Sequence, residues 1–273
     1  MSWIITGTQK NNWTPADIDT ALWLDAADAS TITESGGAVS QWDDKSGNNH
    51  HVIQATSAAQ PTYSATGFNS LPTVFFDSTN DEMACATTTV SSQGDLFYGA
   101  VFQILSDNGN WQPIVGTQIS STASSAGNLL LQRLLNRSEI GIHDTGRSDK
   151  GSTYAVQVTN LFEPRIATLG RSGGSNGNGG LITVTATGPS QPTYLTQAIQ
   201  SWSTDEATTR IQIGGRQQVG LAWSNSNISE VVVCNRNLTT VERQKLEGYF
   251  AHKWGLTANL PADHPYKTAV PVP

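Results

Sequence analysis

The chain has 273 residues, of which 37% are hydrophobic and only 14% are charged, so it can bury a sizeable core beneath a surface made mainly of neutral polar side chains. A net charge of −7 and the lack of a basic stripe argue against nucleic acid or an anionic membrane as the main partner. No apolar run is long enough to span a bilayer, and residues 1–12 do not form a signal peptide, so we expect synthesis in the cytoplasm without export.

The first half of the chain is predicted to begin with a helical turn and to continue as strands. Thr14 as N-cap, Pro15 at the first helical position and Asp17 at N3 predict the turn. Strands are expected in "ALWLDA", "VSQW" and "LPTVFFD", with turns such as "DDKSGNN" between them. The run "GDLFYGAVFQIL" is apolar on both faces, which predicts a central strand covered on both sides.

The second half continues as short strands with turn signals between them. "NLLLQRLLN" fits a helix or a strand by pattern alone, and its neighbours favour a strand. Further strands are expected in "EIGIHD", "TYAVQVT", "RIATLGRSG", "LITVTATG", "TRIQIGGR" and "EVVVCNR". Many short strands in one chain, with no low-complexity linker, indicate a single β-sandwich or barrel domain.

The strands are followed by one amphipathic helix. Thr239 as N-cap and Glu242 three residues later are a capping-box signature, and Gly255 supplies the stop. Arg243 and Glu247 are expected to pair across one turn. The large side chains of one face are Leu246, Tyr249, Phe250 and Trp254. This face is expected to pack on the sandwich; the open alternative is that it docks another protein.

Two segments of the chain resemble a known family. "LWLDAADASTIT", "SQWDDKSGNNHHVIQAT" and "LPTVFFD" look like the opening signature of concanavalin A-like, laminin-G-like jelly-roll domains of bacteriophage and marine virus structural proteins. "ISEVVVCNRNLTTVERQKLEGYFAHKWGLTANLPADHPYK" is similar to the closing segment of that group. The resemblance covers residues 13–267 and implies a two-sheet antiparallel jelly roll with a closing helix at about 240–254, an N-terminal arm at 1–12 and a tail at 268–273.

The same resemblance implies a virion component of the tail, fibre or capsid decoration. Its implied partners are other virion proteins and a host surface glycan, and it implies a homo-oligomer located in the virion. Glycan or receptor binding is the first functional expectation, and a decoration or structural role without a sugar ligand is the second. A glycan hydrolase is the third, because related folds serve all three purposes.

Residues for catalysis are not apparent in the sequence. Jelly-roll glucanases place two carboxylates close together along one strand, as E-x-D-x-x-E. Here Glu82, Glu139, Glu163 and Glu206 are scattered, and there is no G-x-S-x-G elbow. The histidines lack metal-ligand spacing. We therefore expect a protein that is not an enzyme and has no catalytic residues.

Two acidic turns could bind calcium, and no other cofactor is expected. "DSTND", with Asp77, Asn80 and Asp81, and "DDKSGNN" at residues 43–49 offer hard oxygen ligands. The favoured alternative is that both are Asx-turns that close hairpins. Cys85 and Cys234 lie in strand-like runs and are interpreted as buried thiols, which could pair only if their strands were neighbours.

Glycan binding needs a flat aromatic ring for the sugar face and amides or carboxylates for its hydroxyls. Trp111 and Trp202 lie in polar loops and fit this role best, with Asn108 and Asn110 beside the first of them. Trp223 is a further candidate, although it comes just before the last strand. Trp23 and Trp42 lie in strand patterns and are expected in the core.

Overall fold

The fold consists of β-strands and one α-helix, as seen in a computed structural model that describes residues 12–87, 95–118, 129–133, 139–144, 153–157, 160–172, 181–187, 193–198, 210–216 and 222–273. The strands are β1 Leu22–Asp25, β2 Ile32–Ser35, β3 Ala38–Trp42, β4 Val52–Ile53, β5 Thr62–Ser64, β6 Thr73–Asp77, β7 Met83–Cys85, β8 Leu96–Ile104, β9 Gln112–Gln118, β10 Leu129–Arg133, β11 Glu139–Asp144, β12 Thr153–Gln157, β13 Arg165–Ser172, β14 Leu181–Ala186, β15 Thr193–Ala198, β16 Arg210–Ile213, β17 Gly215–Arg216, β18 Ala222–Trp223 and β19 Asn225–Cys234. The helix, α1, is Thr240–Lys253, and short 3-10 turns lie at Pro15–Asp17, Ala29–Thr31, Ser57–Ala59, Phe68–Ser70 and Thr257–Asn259.

All pairings between the described strands are antiparallel. One run of neighbours is β15-β14-β13-β8-β19-β1, and another is β2-β3-β4-β7-β16-β9-β10-β11-β12. Strands β5 and β6 link the two runs, because β6 pairs with β19 and β5 pairs with β3. Apart from the β17–β18 pair, the described strands therefore form one curled antiparallel sheet. The predicted all-β antiparallel class, the N-terminal helical turn and the C-terminal helix are confirmed; the division into two sheets stays a prediction.

Strand β8 is the central strand that the sequence predicts. It pairs with β13 on one side and β19 on the other, and all its residues except Gln103 are buried. Helix α1 lies directly over it, since a Cβ at Gly99 would come within 3.0 Å of Leu246 Cδ2 and 3.2 Å of Phe250 Cε2. A glycine on this face of β8 thus allows the helix to approach the sheet closely.

Helix α1 begins and ends as its sequence predicts. The Glu242 backbone N–H donates to Thr239 Oγ1 at 3.2 Å, and the Thr239 N–H donates to the Glu242 carboxylate at 2.9 Å, which completes the capping box. Gly255, at a φ of 69°, follows the helix. Leu246 and Phe250 are fully buried and Trp254 is 1% exposed, so this face packs within the chain and does not dock another protein.

A buried carboxylate, Glu230 of β19, joins the opening and closing segments. Its Oε1 accepts hydrogen bonds from Trp23 Nε1 at 2.7 Å and from the Tyr249 hydroxyl at 3.0 Å. Its Oε2 accepts from Trp254 Nε1 at 2.6 Å and lies 2.9 Å from Lys253 Nζ. Burial raises the pKa of Glu230, while the charge and hydrogen bond of Lys253 oppose that rise.

Two lysines extend this network. Lys253 Nζ lies 2.6 Å from Asp25 Oδ1, and Lys45 Nζ lies 2.9 Å from both Asp25 Oδ2 and Asp28 Oδ2. The segments that carry the family resemblance therefore meet in one hydrogen-bonded cluster beneath the helix. The charged groups of this cluster are paired and hydrogen-bonded with one another, which offsets the desolvation penalty of burying them. These residues hold the ends of the domain together.

The two cysteines are buried thiols, as interpreted from the sequence. Cys85 in β7 and Cys234 in β19 are unbridged, and their strands are not paired with each other. Cys85 Sγ donates to the His50 carbonyl at 3.3 Å, and burial raises the pKa of the Cys234 thiol to about 12. Among the described residues, no helix combines the length and apolar character that crossing a bilayer requires.

Candidate functional site

Polar loops meet at one edge of the curled sheet. Asn225, the first residue of β19, pairs with Asp77 at the end of β6, and Ser226 pairs with Ile104 at the end of β8. Because these strand ends lie side by side, the residues that follow β6, the loop 105–111 after β8, and β18 just before β19 are brought together. Of the residues that the sequence nominates for glycan binding, Asn108, Asn110, Trp111 and Trp223 all belong to this edge.

Asn108 fixes the position of the loops. Its Nδ2 donates to Ser78 Oγ and to the carbonyl of Trp223, both at 3.0 Å, and its Oδ1 accepts from the Asn110 N–H at 3.0 Å. The Asn108 amide is thus engaged by the protein. In this structure the Asn108 side chain holds the Trp223 backbone in place, and the predicted contact of Asn108 with a glycan stays a prediction.

The base of the loop is held by a second amide. Gln112 is fully buried; its Oε1 accepts from the Asn225 N–H at 3.0 Å and its Nε2 donates to the Ser106 carbonyl at 2.8 Å. Trp111, directly before it, is partly exposed, and its N–H donates to Asn110 Oδ1 at 2.8 Å. A buried, fully hydrogen-bonded glutamine gives the loop a rigid support.

The most distinctive polar contact at this edge joins Glu82, just before β7, to Gln212 of β16. Gln212 Nε2 donates to Glu82 Oε2 at 2.8 Å, and the two residues are only 7% and 3% exposed. Glu82 Oε1 accepts no hydrogen bond from the described residues. The second oxygen of this nearly buried carboxylate, Oε1, is therefore not held by the described part of the chain and is available to a donor from water or a ligand.

Trp223 flanks the same carboxylate across a glycine. A Cβ at Gly215 of β17 would lie 3.0 Å from Glu82 Oε2 and 3.2 Å from Trp223 Cδ1. Gly215 pairs directly with Trp223, whose side chain is partly exposed. A larger residue at position 215 would collide with both groups. The glycine therefore lets a carboxylate and an indole ring lie next to each other at the surface.

The two carboxyls at this edge resist ionisation. Burial raises the pKa of Glu82 from 4.5 to about 7, opposed by the Gln212 hydrogen bond and the charge of Arg210. Burial also raises the pKa of Asp81 from 3.8 to about 6; the hydrogen bond from the Asp77 N–H opposes this rise, and the charge of Asp77 adds to it. Perturbed carboxyls beside an aromatic ring mark this edge as a candidate site.

The pKa of Glu82 predicts a specific pH dependence of stability. The folded state holds the proton more tightly than the unfolded chain does, so the contribution is fully present below pH 4.5 and is lost as the pH rises to about 7. We expect Glu82→Gln to flatten this part of the curve of melting temperature against pH, leaving the smaller slope that Asp81 causes. Glu163→Gln, a carboxylate change in the loop before β13, is the matched control. A Glu82→Gln curve with the same slope as the wild type over this interval would contradict the assignment.

Two residues of the candidate site are absent from the sequence-based prediction. Glu82 was considered only as one of several scattered acids, and Gln212 was not considered. The alternation of Arg210 and Gln212 with Ile211 and Ile213 was the available signal, since it marks one polar face of β16. Trp202, the other nominated loop tryptophan, lies outside the described residues.

The turn nominated for calcium is closed by its own backbone. Asp81 Oδ2 accepts from the Asp77 N–H at 3.0 Å, and Asp77 Oδ1 accepts from the Thr79 N–H at 2.7 Å. These are Asx-type contacts of a hairpin closure. Within the described ranges, no group of three or more His, Cys, Asp or Glu is placed to hold a metal ion. A calcium site that also uses Asn80 stays a prediction.

The other acidic turn, "DDKSGNN", is organised by Asp44. Its Oδ1 accepts from the backbone N–H groups of Trp23 and Ser46, both at 2.9 Å. Its Oδ2 accepts from Ser46 Oγ at 2.7 Å and from the His50 N–H at 3.0 Å. Four protein donors surround this carboxylate, so the turn supports the interpretation as a structural loop.

We expect metal chelation to leave the protein intact. Adding EDTA should not change the melting temperature, because Asp44, Asp77 and Asp81 already accept hydrogen bonds from the chain. Thermal melts with EDTA, with added calcium and with neither would measure this. A fall of several degrees that calcium reverses would establish a metal site that contributes to stability.

The comparisons with known proteins identify the fold without naming a family. No family model and no curated protein matches the chain. Among solved structures, an arabinofuranosidase complexed with arabinofuranosyl-alpha-1,2-xylobiose is similar at a TM-score of 0.55 and 11% identity over 88% of this chain and 59% of the other. Trypanosoma rangeli sialidase in complex with sialic acid is similar at 0.51 and 13% identity, over 85% of this chain and 33% of the other.

A third similar structure is the binding domain of botulinum neurotoxin DC in complex with SialylT. It matches at a TM-score of 0.51 and 9% identity over 83% of this chain and 50% of the other. The chain thus spans only a third to somewhat over half of the length of these proteins. At such identities the likeness is one of fold alone. The chain therefore shares its all-β fold with proteins that were solved in complex with sugars.

Proposed function

We propose that this protein is a glycan-binding module whose site is centred on Glu82, Gln212 and Trp223. The observation that carries the proposal is the side-by-side placement of a carboxylate, an amide and a partly exposed indole at one edge of the sheet. An indole stacks on the apolar face of a sugar, while carboxylate and amide groups bond its hydroxyls. This combination is the one that glycan binding requires.

The mode of binding follows from the charge of the groups. Stacking on Trp223 and hydrogen bonding to neutral hydroxyls depend little on ionic strength, whereas binding through opposite charges weakens as salt screens them. Trp111, partly exposed at the end of the neighbouring loop, is a second aromatic group that a longer glycan would reach. Because Asn108 and Gln112 hold the loops in place, little ordering entropy is lost on binding.

We place this activity in a bacteriophage virion, as a host-glycan or receptor-binding module of the tail or fibre. The support is that the opening and closing segments of the chain resemble those of jelly-roll domains in virion proteins. The two segments contact each other through the Glu230 cluster. In this proposal the two runs of strands form the two sheets of a jelly roll. The partners of the protein are other virion proteins and further copies of the same chain, and the protein is located in the virion.

The proposal is of a binding protein and not an enzyme. Along the strand that follows Glu82, the residue two positions on is Ala84, so no second carboxylate occupies the next place on that face of β7. A retaining glycosidase needs two carboxyl groups about 5 Å apart at the scissile bond. Hydrolysis of host polysaccharide by the purified protein would revive the hydrolase alternative.

A second candidate function is a decoration or structural protein of the particle without a sugar ligand. The high burial of both Glu82 and Gln212, which are joined by one hydrogen bond, favours it. In that case the pair contributes to packing, and Trp223 merely covers it.

A glycan array probed with the purified chain separates the two functions. We expect binding to a defined set of glycans that changes little between low and high salt. Absence of binding to any glycan or to host polysaccharide, in a protein that is found on the particle, would replace the glycan-binding function with the decoration function.

A further inference from the structure

The surroundings of the Glu82–Gln212 pair are acidic. Asp81 precedes Glu82 directly and is 5% exposed, and the charge of Asp77 acts on Asp81. The cation whose charge acts on Glu82 is Arg210, on the same strand face as Gln212. Among the side chains that the structure describes here, three carboxyl groups, that of Glu82 included, and one guanidinium, that of Arg210, therefore lie at this position.

One oxygen of the Glu82 carboxylate is left available by the described residues. Gln212 donates to Oε2, while Oε1 of the same carboxylate receives no hydrogen bond from the described residues. The Glu82 carboxylate is only 7% exposed, so it is stabilised most by a hydrogen-bond donor on a ligand group that carries no negative charge of its own. A sugar hydroxyl is such a donor, and a sugar carboxylate is not.

We propose that the site takes an uncharged glycan and discriminates against sugars that carry a carboxylate, such as sialic or uronic acids; this inference rests on the proposed glycan-binding function. A neutral sugar stacks on Trp223 and donates a hydroxyl to Glu82 Oε1. A carboxylated sugar in the same place brings a like charge next to Glu82 and Asp81, which is destabilising at short range in a poorly solvated site.

The similar structures do not bear on this choice. One was solved in complex with sialic acid, but its likeness to this chain is limited to the fold. Ligand chemistry is decided by the side chains at a site and not by the fold that carries them. Here the residues at the site are acid-rich.

The test is a glycan array in which each neutral oligosaccharide is printed beside its carboxylated counterpart, for example N-acetyllactosamine beside sialyl-N-acetyllactosamine. At pH 8 we expect the neutral member of each bound pair to be preferred by roughly tenfold or more, the effect of one like-charge contact. At pH 5 the preference should shrink, because Glu82 and Asp81 are then protonated in larger part.

Two variants identify the group responsible. Glu82→Gln removes the charge, so it should narrow the ratio of neutral to carboxylated binding at pH 8. Its single carbonyl oxygen cannot accept from both Gln212 at the Oε2 position and a sugar hydroxyl at the Oε1 position, so binding of the neutral glycan should weaken as well, and the ratio within each pair is the quantity that tests the charge. Glu163→Gln, the matched control, should leave the preference as it is in the wild type. Equal binding of neutral and carboxylated partners by the wild type at pH 8 would overturn the inference and leave the glycan-binding function standing. If no glycan is bound at all, the glycan-binding function fails and this inference fails with it.

Discussion

Replacing Trp254 with alanine is expected to lower the free energy of unfolding by ~3–5 kcal/mol. The indole is 1% exposed beneath helix α1, where it packs against Phe68 with ring centroids 6.1 Å apart. Its Nε1 also donates to the buried Glu230 carboxylate at 2.6 Å, so the variant leaves both a cavity and a buried charge with one donor fewer. Chemical denaturation of the wild type and the variant measures the difference.

Two control variants separate the causes of this loss. Trp254→Phe retains most of the ring but removes the N–H donor. The decrease in the free energy of unfolding that this variant shows is therefore assigned to the hydrogen bond with Glu230. Val241→Ala changes a side chain on the same helix that is 60% exposed, and it should alter stability by no more than about 0.5 kcal/mol. If Trp254→Ala unfolds at the same denaturant concentration as the wild type, the helix does not contribute to the stability of the domain.

Replacing Trp223 with alanine is expected to weaken glycan binding by about 2 kcal/mol or more, roughly thirtyfold in Kd, as for an aromatic residue at the centre of an interface. The indole is partly exposed beside the Glu82 carboxylate, so its loss should lower the melting temperature much less than the loss of Trp254 does. Titration with a glycan selected on the array, together with a thermal melt, measures both effects.

Trp111→Ala and Val241→Ala complete this experiment. Trp111 lies in the adjoining loop and is expected to contribute to the binding of longer glycans, while Val241 on α1 should contribute nothing. If the Trp223 variant binds normally and the Trp111 variant has lost binding, the binding site lies at the loop 105–111 and not at the Glu82–Gln212 pair. Normal binding by both variants would remove the site from this edge altogether.

Local signals in the sequence were sufficient for the elements that depend on near neighbours. The capping box of Thr239 and Glu242, the spacing of Leu246 and Phe250 and the stop at Gly255 involve residues within a turn or two of each other, and each is confirmed. The same holds for β8, where an apolar run on both faces predicts a strand that is covered on both sides. The polar residues around Trp111 predicted a loop, and Trp111 does lie at the end of the loop after β8, whereas Trp223, which the sequence left open, lies in the short strand β18.

The centre of the candidate site depends on contacts that no local pattern contains. Glu82 and Gln212 lie 130 residues apart in the chain, and Trp23 and Glu230 lie 207 apart. Their partners are chosen by strand order and register, which bring β7 beside β16 and β1 beside β19. The sequence by itself determined the class of fold, the closing helix and the polar loops. Only the tertiary structure decided that Glu82 lies beside Trp223 and that Asn108 holds the Trp223 backbone, because long-range strand pairing determines which polar groups become neighbours.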